Sequence, residues 1–416
     1  MMTHAQQAPY QTIQDWNRFD NQRVLVRVDF NVPLDANRQV TDDTRIRETL
    51  PTLRYLVERG ARVIVVSHLG RPKGKVDDAY RLAPVVERLR TLMAPTEILA
   101  ASEVVSPAVS DAVNRLKPGQ ILVLENVRFE PGEEKNDATL AQQLASLADI
   151  YVNDAFGTAH RAHASTEGVA HHVPVALAGL LMDKEIRALT QVLAHPEHPY
   201  TAIIGGSKVS TKITVLERLL EKVDTLVIGG AMVFSFLKAQ GYSVGASLVE
   251  EEYLPVARKL LEQAQTQGTR ILLAEDVVVA DGFKADAEAR VVSIEAIPDG
   301  WMGLDIGPNS IAAIQEILKA SKLVLWNGPL GVFEFPRFAE GTRVVAQTLA
   351  DLTRSGQLTS VLGGGDTVAA IEQFQFPPEA FSHVSSGGGA SLEFLEGKTL
   401  PGIAILQSKQ TAASRA

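Results

Sequence analysis

At 416 residues the chain exceeds what one typical core supports, so two domains are expected, and 45% hydrophobic content is enough for a core in each. A net charge of −9 argues against general nucleic-acid binding, so any anion must be held by a local cationic cluster. The absence of cysteine excludes disulfides, thiolate metal sites and cysteine nucleophiles, and allows a reducing compartment.

The start, MMTHAQQAPYQTIQDW, is polar and lacks an apolar core, so no signal peptide is expected. The first strand-like run is VLVRVDFN (24–31). Period two puts Arg27, Asp29 and Asn31 on one side, and Pro33 stops it. TDDTRIRET then offers Arg45 and Arg47, and RETLPTLRYLVE (47–58) has helical spacing of Leu50, Leu53 and Leu56. The next runs end in the same chemistry: VIVVSHLGR (63–71) in His68 and Arg71, ILVLENVRF (121–129) in Arg128, and IYVNDAFGTAHR (150–161) in His160 and Arg161. Such alternation predicts βαβ units on a parallel sheet, whose ligands bind beyond the carboxyl ends of the strands. Each arginine alone reads more readily as a surface cation. Several at the strand ends of one sheet form a basic pocket, and the planar guanidinium suits carboxylate and phosphate.

VPVALAGLLM (173–182) is the longest apolar stretch and too short to span a bilayer. A cytoplasmic protein that meets neither membrane nor nucleic acid is therefore expected. MDKEIRALTQVL predicts a helix, which either joins two domains or is an ordinary surface helix. The boundaries expected are 1–181 for the first domain, 182–195 for the connecting helix and 196–401 for the second domain.

Beyond that helix the strand-like runs end in glycine: AIIGGSK (202–208), TLVIGG (225–230), LVLWNGP (323–329), SVLGGGDT (360–367) and HVSSGGG (383–389). Glycine lets bare backbone approach a ligand, and free N–H groups at a following helix favour phosphate. In AIIGGSKVSTKITVLERLL, Lys208 and Lys212 would share a helical face, either beside a polyphosphate or simply in solvent. No Walker A loop occurs. In GGGDT, Asp366 either caps the helix start or holds Mg²⁺ through oxygen. Gly387 to Gly389 open a third such turn. Three glycine turns in one domain point to nucleotide, and Glu334 in LWNGPLGVFEF would suit ribose hydroxyls. Trp326, Phe333 and Phe335 read as core. The last ten residues, QSKQTAASRA, read as a frayed polar tail.

RVDFNVP, SHLGRPKG, ENVRF with PGEEKND, VNDAFGTAHRAH, GGSKVSTK, WNGPLGVFE, GGGDT and SSGGGASLEFLEGK occur in this order, and together they resemble the phosphoglycerate kinase family. The resemblance runs from about Arg23 to Leu406. It implies an α/β fold of two Rossmann-like lobes, each a mostly parallel sheet flanked by helices, joined by a hinge helix around a cleft. It also implies that segment 402–416 packs back on the first lobe. The implied reaction is reversible phosphoryl transfer from 1,3-bisphosphoglycerate to Mg²⁺-ADP, giving 3-phosphoglycerate and ATP, by a monomer. Carried over motif by motif, the acid site would comprise Asp29, Asn31, Arg45, His68, Leu69, Gly70, Arg71, Arg128 and Arg161. The nucleotide site would comprise Gly205, Gly206, Lys208, Lys212, Asn327, Glu334, Gly364, Gly365, Asp366 and Thr367, with Asp366 the metal contact. Arg45, Lys208 and Gly388 would serve catalysis directly. One departure is Thr211, where some relatives carry Asp.

The acceptor carboxylate is ionised at neutral pH and needs no general base, so catalysis is expected to be positioning and charge stabilisation after closure of the lobes. Two rivals remain at this level: a kinase for another carboxylic acid, and a two-lobed protein that clamps a ligand without chemistry. A dinucleotide dehydrogenase lacks its GxGxxG after the first strand.

Overall fold

The structure, a computed structural model, describes residues 9–413. The described residues form two compact units: those up to Ile186 together with those from Thr399 onward, and residues 187–398. The helix Leu180–Ala194 carries the chain from one to the other. Part of the predicted polar start and residues 414–416 of the predicted tail lie outside the described residues.

The first unit is built on six parallel strands: β1 (Arg23–Arg27), β2 (Arg62–Val66), β3 (Ile98–Ala100), β4 (Ile121–Val123), β5 (Ile150–Asn153) and β6 (Val175–Ala178). Their order is β3-β4-β2-β1-β5-β6. The central strands are buried almost throughout, which is why they read as continuous apolar runs rather than alternating ones. Val24, Val26, Val63, Val65 and Val152 meet Ile46, Leu53 and Leu56 of the helix Thr44–Glu58 in one core. Each such buried side chain contributes about 1.5–3 kcal/mol.

The predicted frayed tail is corrected. The helix Pro401–Ala413 continues through most of it. This helix belongs to the first unit, where Gly402 N–H donates to Ala159 O (2.9 Å). Lys409 Nζ donates to Val173 O (2.8 Å) and His171 O (3.4 Å), so a residue read as tail chemistry holds two carbonyls.

The second unit has a six-stranded parallel sheet and a second, smaller sheet. The parallel sheet contains β7 (Tyr200–Ile204), β8 (Thr225–Ile228), β9 (Arg270–Leu272), β13 (Leu323–Asn327), β14 (Thr359–Gly363) and β15 (His383–Val384), in the order β15-β14-β13-β7-β8-β9. The smaller sheet is antiparallel and made of β10 (Asp276–Ala280), β11 (Ala289–Ser293) and β12 (Met302–Ile306), in the order β11-β10-β12. Trp326 is fully buried on β13, in line with its reading as core.

Candidate active site

In the first unit, six of the residues singled out in the sequence are joined by contacts at the carboxyl ends of β1, β2 and β4. β1 ends at Arg27, so Val28 to Asn31 form a loop rather than the continued strand that period two suggested. Ser67 Oγ accepts from Phe30 N–H (2.9 Å) and ties that loop to the end of β2. Arg45 lies in the first turn of the helix Thr44–Glu58, and its Nη1 is 2.8 Å from Asp29 Oδ2. His68 Nδ1 is 3.9 Å from Asp29 Oδ1. Asn31 Oδ1 accepts from Gly70 N–H (2.8 Å), and Arg128 Nη1 donates to Gly70 O (2.7 Å). Gly70 is required here. Its φ is +60°, and an added Cβ would lie 2.2 Å from the Tyr80 ring.

The other predicted members take different places. Arg71 is exposed and makes no hydrogen bond among the described residues. Arg161 Nε donates to His160 Nε2 (3.3 Å). Leu69 is buried in the apolar core, so only its backbone borders the cluster. Burial and the surrounding arginines push His68 well below the usual imidazole range, and they pull His163 down to about 4. Both rings are therefore neutral at physiological pH.

Asn126 is a member that the sequence reading missed. It is fully buried, and its Nδ2 donates to Leu69 O (2.7 Å) and Tyr80 O (2.9 Å). Its Oδ1 accepts from Leu69 N–H (3.2 Å) and Arg128 N–H (3.1 Å). One amide thus fastens the His68 loop to the Arg128 turn. The only sequence signal was an Asn beside Arg128 at the end of an apolar run.

In the second unit, a cavity of about 550 Å³ opens beside the glycine-ended strands. Gly206, Gly230 and Gly303 line it with backbone, and Phe234, Leu304 and Phe333 with apolar side chains. Three carboxylates border it: Asp305, Glu334 and Asp366. The reading of Phe333 as core is therefore incomplete, since it is both buried and part of the cavity wall. Asp305 is buried, and burial raises its pKa to about 7 even though it accepts from Gly341 N–H (2.9 Å) and Ile306 N–H (2.8 Å).

Beside the cavity, Lys212 Nζ donates to Asn327 Oδ1, and Asn327 Nδ2 is buried without a partner. A Cβ on Gly364 would come 3.1 Å from that Nδ2. An orphaned donor packed against a positive-φ glycine fits an anion held beside that turn. Burial lowers the pKa of Lys212, and nearby Asp366 and Glu396 oppose that shift.

The shared helical face of Lys208 and Lys212 is corrected. Lys208 is extended, a 3₁₀ turn covers Val209–Thr211, and the helix starts only at Ile213. The glycines also divide by purpose. A Cβ on Gly205 would lie 2.0 Å from Pro329 O and 2.5 Å from Gly328 O, so Gly205 lets two protein loops touch. Gly365 and Gly388 have nothing within 4 Å of the same position and face open space. Thr367 is fully buried, and its hydroxyl accepts from Gly328 N–H (2.6 Å). Gly387 N–H is committed to Ser385 Oγ (3.1 Å), while Gly388 (φ +50°) leads into the helix Gly389–Leu395.

Of the two readings of Asp366, capping is removed. It stands in the first turn of the helix Gly365–Gln373 without a side-chain cap bond, and it is exposed. The described residues contain no group of three or more His, Asp or Glu arranged to cage a metal. A single free carboxylate at a phosphate-type turn fits Mg²⁺, which takes one or two carboxylates and completes its shell with phosphate and water. No described helix is long and apolar enough to cross a membrane.

The chain is similar to known proteins over most of its length. The phosphoglycerate kinase family model matches residues 13–398. The chain is 57% identical over 387 residues to the phosphoglycerate kinase of Synechococcus elongatus, covering 93% of this chain and 96% of that protein. It is 56% identical over 391 residues to the chloroplastic enzyme of Volvox carteri, covering 94% of this chain and 84% of that protein. Its fold matches the structure of phosphoglycerate kinase from Coxiella burnetii with a TM-score of 0.87 at 43% identity, covering 96% of this chain and 99% of that one. The crystal structure of the Pyrococcus horikoshii enzyme matches with a TM-score of 0.80 at 30% identity and the same coverage. With the family model spanning most of its length, the chain belongs to the phosphoglycerate kinase family.

Proposed function

We propose that this phosphotransferase moves the acyl phosphate of 1,3-bisphosphoglycerate to ADP, reversibly, giving 3-phosphoglycerate and ATP. The observation that carries the reading is the division of chemistry between the units. The first presents converging Arg, His and Asn side chains, which suit a small acid with carboxylate and phosphate groups. The second presents an apolar cavity beside glycine turns, which suits a purine nucleotide with its phosphates on backbone N–H groups.

In the ATP-consuming direction a carboxylate oxygen of 3-phosphoglycerate attacks the γ-phosphorus in line. The bond from that phosphorus to the β–γ bridging oxygen breaks, and ADP leaves with the electron pair. No proton moves in this step, so no general base is required. Asp29 orients Arg45, whose remaining N–H groups meet charge on the transferring group. Lys208, exposed at the end of its glycine turn, and the N–H groups around Gly388 meet charge on the other substrate. Asp366 would hold Mg²⁺, which when bound neutralises phosphate oxygens. Closure of the two lobes would exclude water that otherwise hydrolyses the acyl phosphate.

The test is turnover with 3-phosphoglycerate, ATP and Mg²⁺, coupled to consumption of the acyl phosphate. Product formation is expected. Turnover with another carboxylic acid but not this one would move the assignment to a different acid. No turnover with any would leave a ligand clamp.

A further inference from the structure

We propose that Arg27 is a positioning residue for phosphoryl transfer: it holds His68 as the neutral tautomer with its proton on Nε2 and so offers that N–H to the acid substrate. The last clause rests on the substrate reading above. The first stands on geometry alone.

Arg27 is the last residue of β1 and is almost completely buried, at 1% exposure. Its Nη2 stands 3.1 Å from His68 Nδ1. A guanidinium has five N–H donors, no acceptor, and no accessible neutral form. Nδ1 must therefore be the acceptor in this contact. A protonated His68 would set N–H against N–H and charge against charge. The remaining proton of a neutral ring then sits on Nε2.

Arg27 cannot turn away, because its other arms are taken. Nε donates to Ser165 Oγ (2.8 Å), and Nη1 donates to Val28 O. Ser165 Oγ passes its own hydrogen to Glu133 Oε1 (2.6 Å), and Ser165 N–H donates to Glu133 Oε2 (2.9 Å). Glu133 is fully buried, so the countercharge to Arg27 is inside the protein and one hydroxyl away. The chain runs from Glu133 through Ser165 and Arg27 to His68.

The other charged groups facing His68 agree with a neutral ring. Arg45 comes from the helix Thr44–Glu58, Arg128 from the turn after β4 and Arg161 from the loop after β5, and all three oppose protonation. Asp29 favours it but lies 3.9 Å from Nδ1 and is already paired with Arg45. The chemical consequence concerns the nucleophile. An imidazolium beside a reacting carboxylate shares a proton with the lone pair that must attack. A neutral imidazole N–H orients the carboxylate and keeps its proton. His68 Nε2 makes no hydrogen bond among the described residues, which leaves it available for that task.

The test is long-range ¹H–¹⁵N correlation NMR on the full-length protein, with His68 assigned through His68→Gln. The expected pattern is a protonated Nε2, an unprotonated Nδ1, and no titration across about pH 5.5 to 8, where an ordinary histidine would titrate. A proton on Nδ1, or an imidazolium at neutral pH, overturns the proposal without any variant of Arg27 being needed. The double variant Arg27→Met, Glu133→Gln removes both buried charges together. In it His68 should mix tautomers, while burial with Arg45, Arg128 and Arg161 still opposes its protonation. Its kcat should fall about 10–100-fold, the scale seen when outer partners of ligating histidines are removed, with the KM for ADP unchanged. A folded double variant with the wild-type tautomer and kcat overturns the role of Arg27. Adding 3-phosphoglycerate should move the Nε2 signal. If it moves other resonances of the first unit but not Nε2, the offer to substrate is refuted. If it moves none of them, the substrate reading fails and takes the last clause of the proposal with it, while the tautomer stays on record as a separate result.

Discussion

The side-chain cluster of the first unit and the cavity of the second are prepared for anions by opposite means. In the first, the cations are already engaged. Arg45 rests on Asp29, Arg128 on Gly70 O, and Arg27 on Ser165 and His68. Fixed charges of this kind cost little to reorganise when a substrate arrives, but each needs a partner that keeps it in place. In the second, the walls are apolar and backbone, and the cations stand beside the cavity rather than in it. Placement there depends on loops that pack against one another through glycine. Removing a charge should therefore damage the first unit most, and adding an atom should damage the second most.

The largest effect is expected for Arg45→Ala. If the cluster stabilises developing charge, kcat falls about 10²–10³-fold, equivalent to about 3–4 kcal/mol. The KM for ADP should stay within about threefold of its starting value, because the loss falls on the transition state rather than on nucleotide binding. Steady-state kinetics with each substrate varied in turn decides it. A kcat within about threefold of the parent enzyme would remove Arg45 from its assigned role.

Asp305→Asn sharpens the comparison from the cavity side through its pH dependence. Burial raises the Asp305 pKa from 3.8 to about 7, so the native state holds this proton more tightly than the unfolded chain. The stabilisation is fully present below the unfolded value. It is lost as pH rises through about 7, at about 1.4 kcal/mol for each unit of separation. The Asn variant lacks this loss. Relative to wild type, its melting temperature should therefore rise between about pH 4.5 and about pH 8, a span that covers most of the interval from 3.8 to about 7. A difference in melting temperature that does not change with pH would mean that the carboxyl is not desolvated.

How far this contrast could be read from sequence depends on distance along the chain. The nine runs singled out at their Arg, Asp and Gly ends all contain strands, because strands buried on both faces spell continuous apolar text. The antiparallel sheet was not legible. β11 is largely exposed, and its ARVVS offers neither a long apolar run nor a clean alternation. The placement of Arg45, Asp29 and His68 followed from motif order. Their supports did not: Ser165 meets Arg27 across 138 positions, and Asn126 meets Leu69 across 57. No local pattern records such pairings. Glycine misled for a related reason. The residue type announces a close approach, and only the fold says whether the other party is a ligand, as the open space at Gly365 allows, or Pro329 O, as at Gly205.

Gly205→Ala tests that last distinction. The added methyl would meet Pro329 O and Gly328 O at 2.0 and 2.5 Å, and both are backbone atoms that cannot swing aside. Overpacking of this kind costs about 1–3 kcal/mol. Thermal unfolding should show the loss whether or not nucleotide is present. Gly365→Ala, with nothing within 4 Å, should leave unfolding nearly unchanged. If both variants unfold alike, the division of the glycines into loop contacts and ligand-facing positions is wrong.

The smallest effect is expected for Asp366→Ala, and its value lies in what should stay constant. The side chain is exposed, caps nothing and lies in the first turn of its helix. Removing it should leave the melting temperature in place, apart from a few tenths of a kcal/mol of interaction with the helix dipole. If Asp366 contributes one oxygen to Mg²⁺ on the nucleotide, the Mg²⁺ concentration for half-maximal rate should rise about tenfold, the low end for losing a group that tunes a metal site. The maximal rate at saturating Mg²⁺ should recover most of its original value, since phosphate and water supply the remaining ligands. An unchanged Mg²⁺ titration would refute metal contact. A lowered melting temperature with an unchanged titration would return Asp366 to a structural role and leave the cavity's carboxylate chemistry to Glu334 and Asp305.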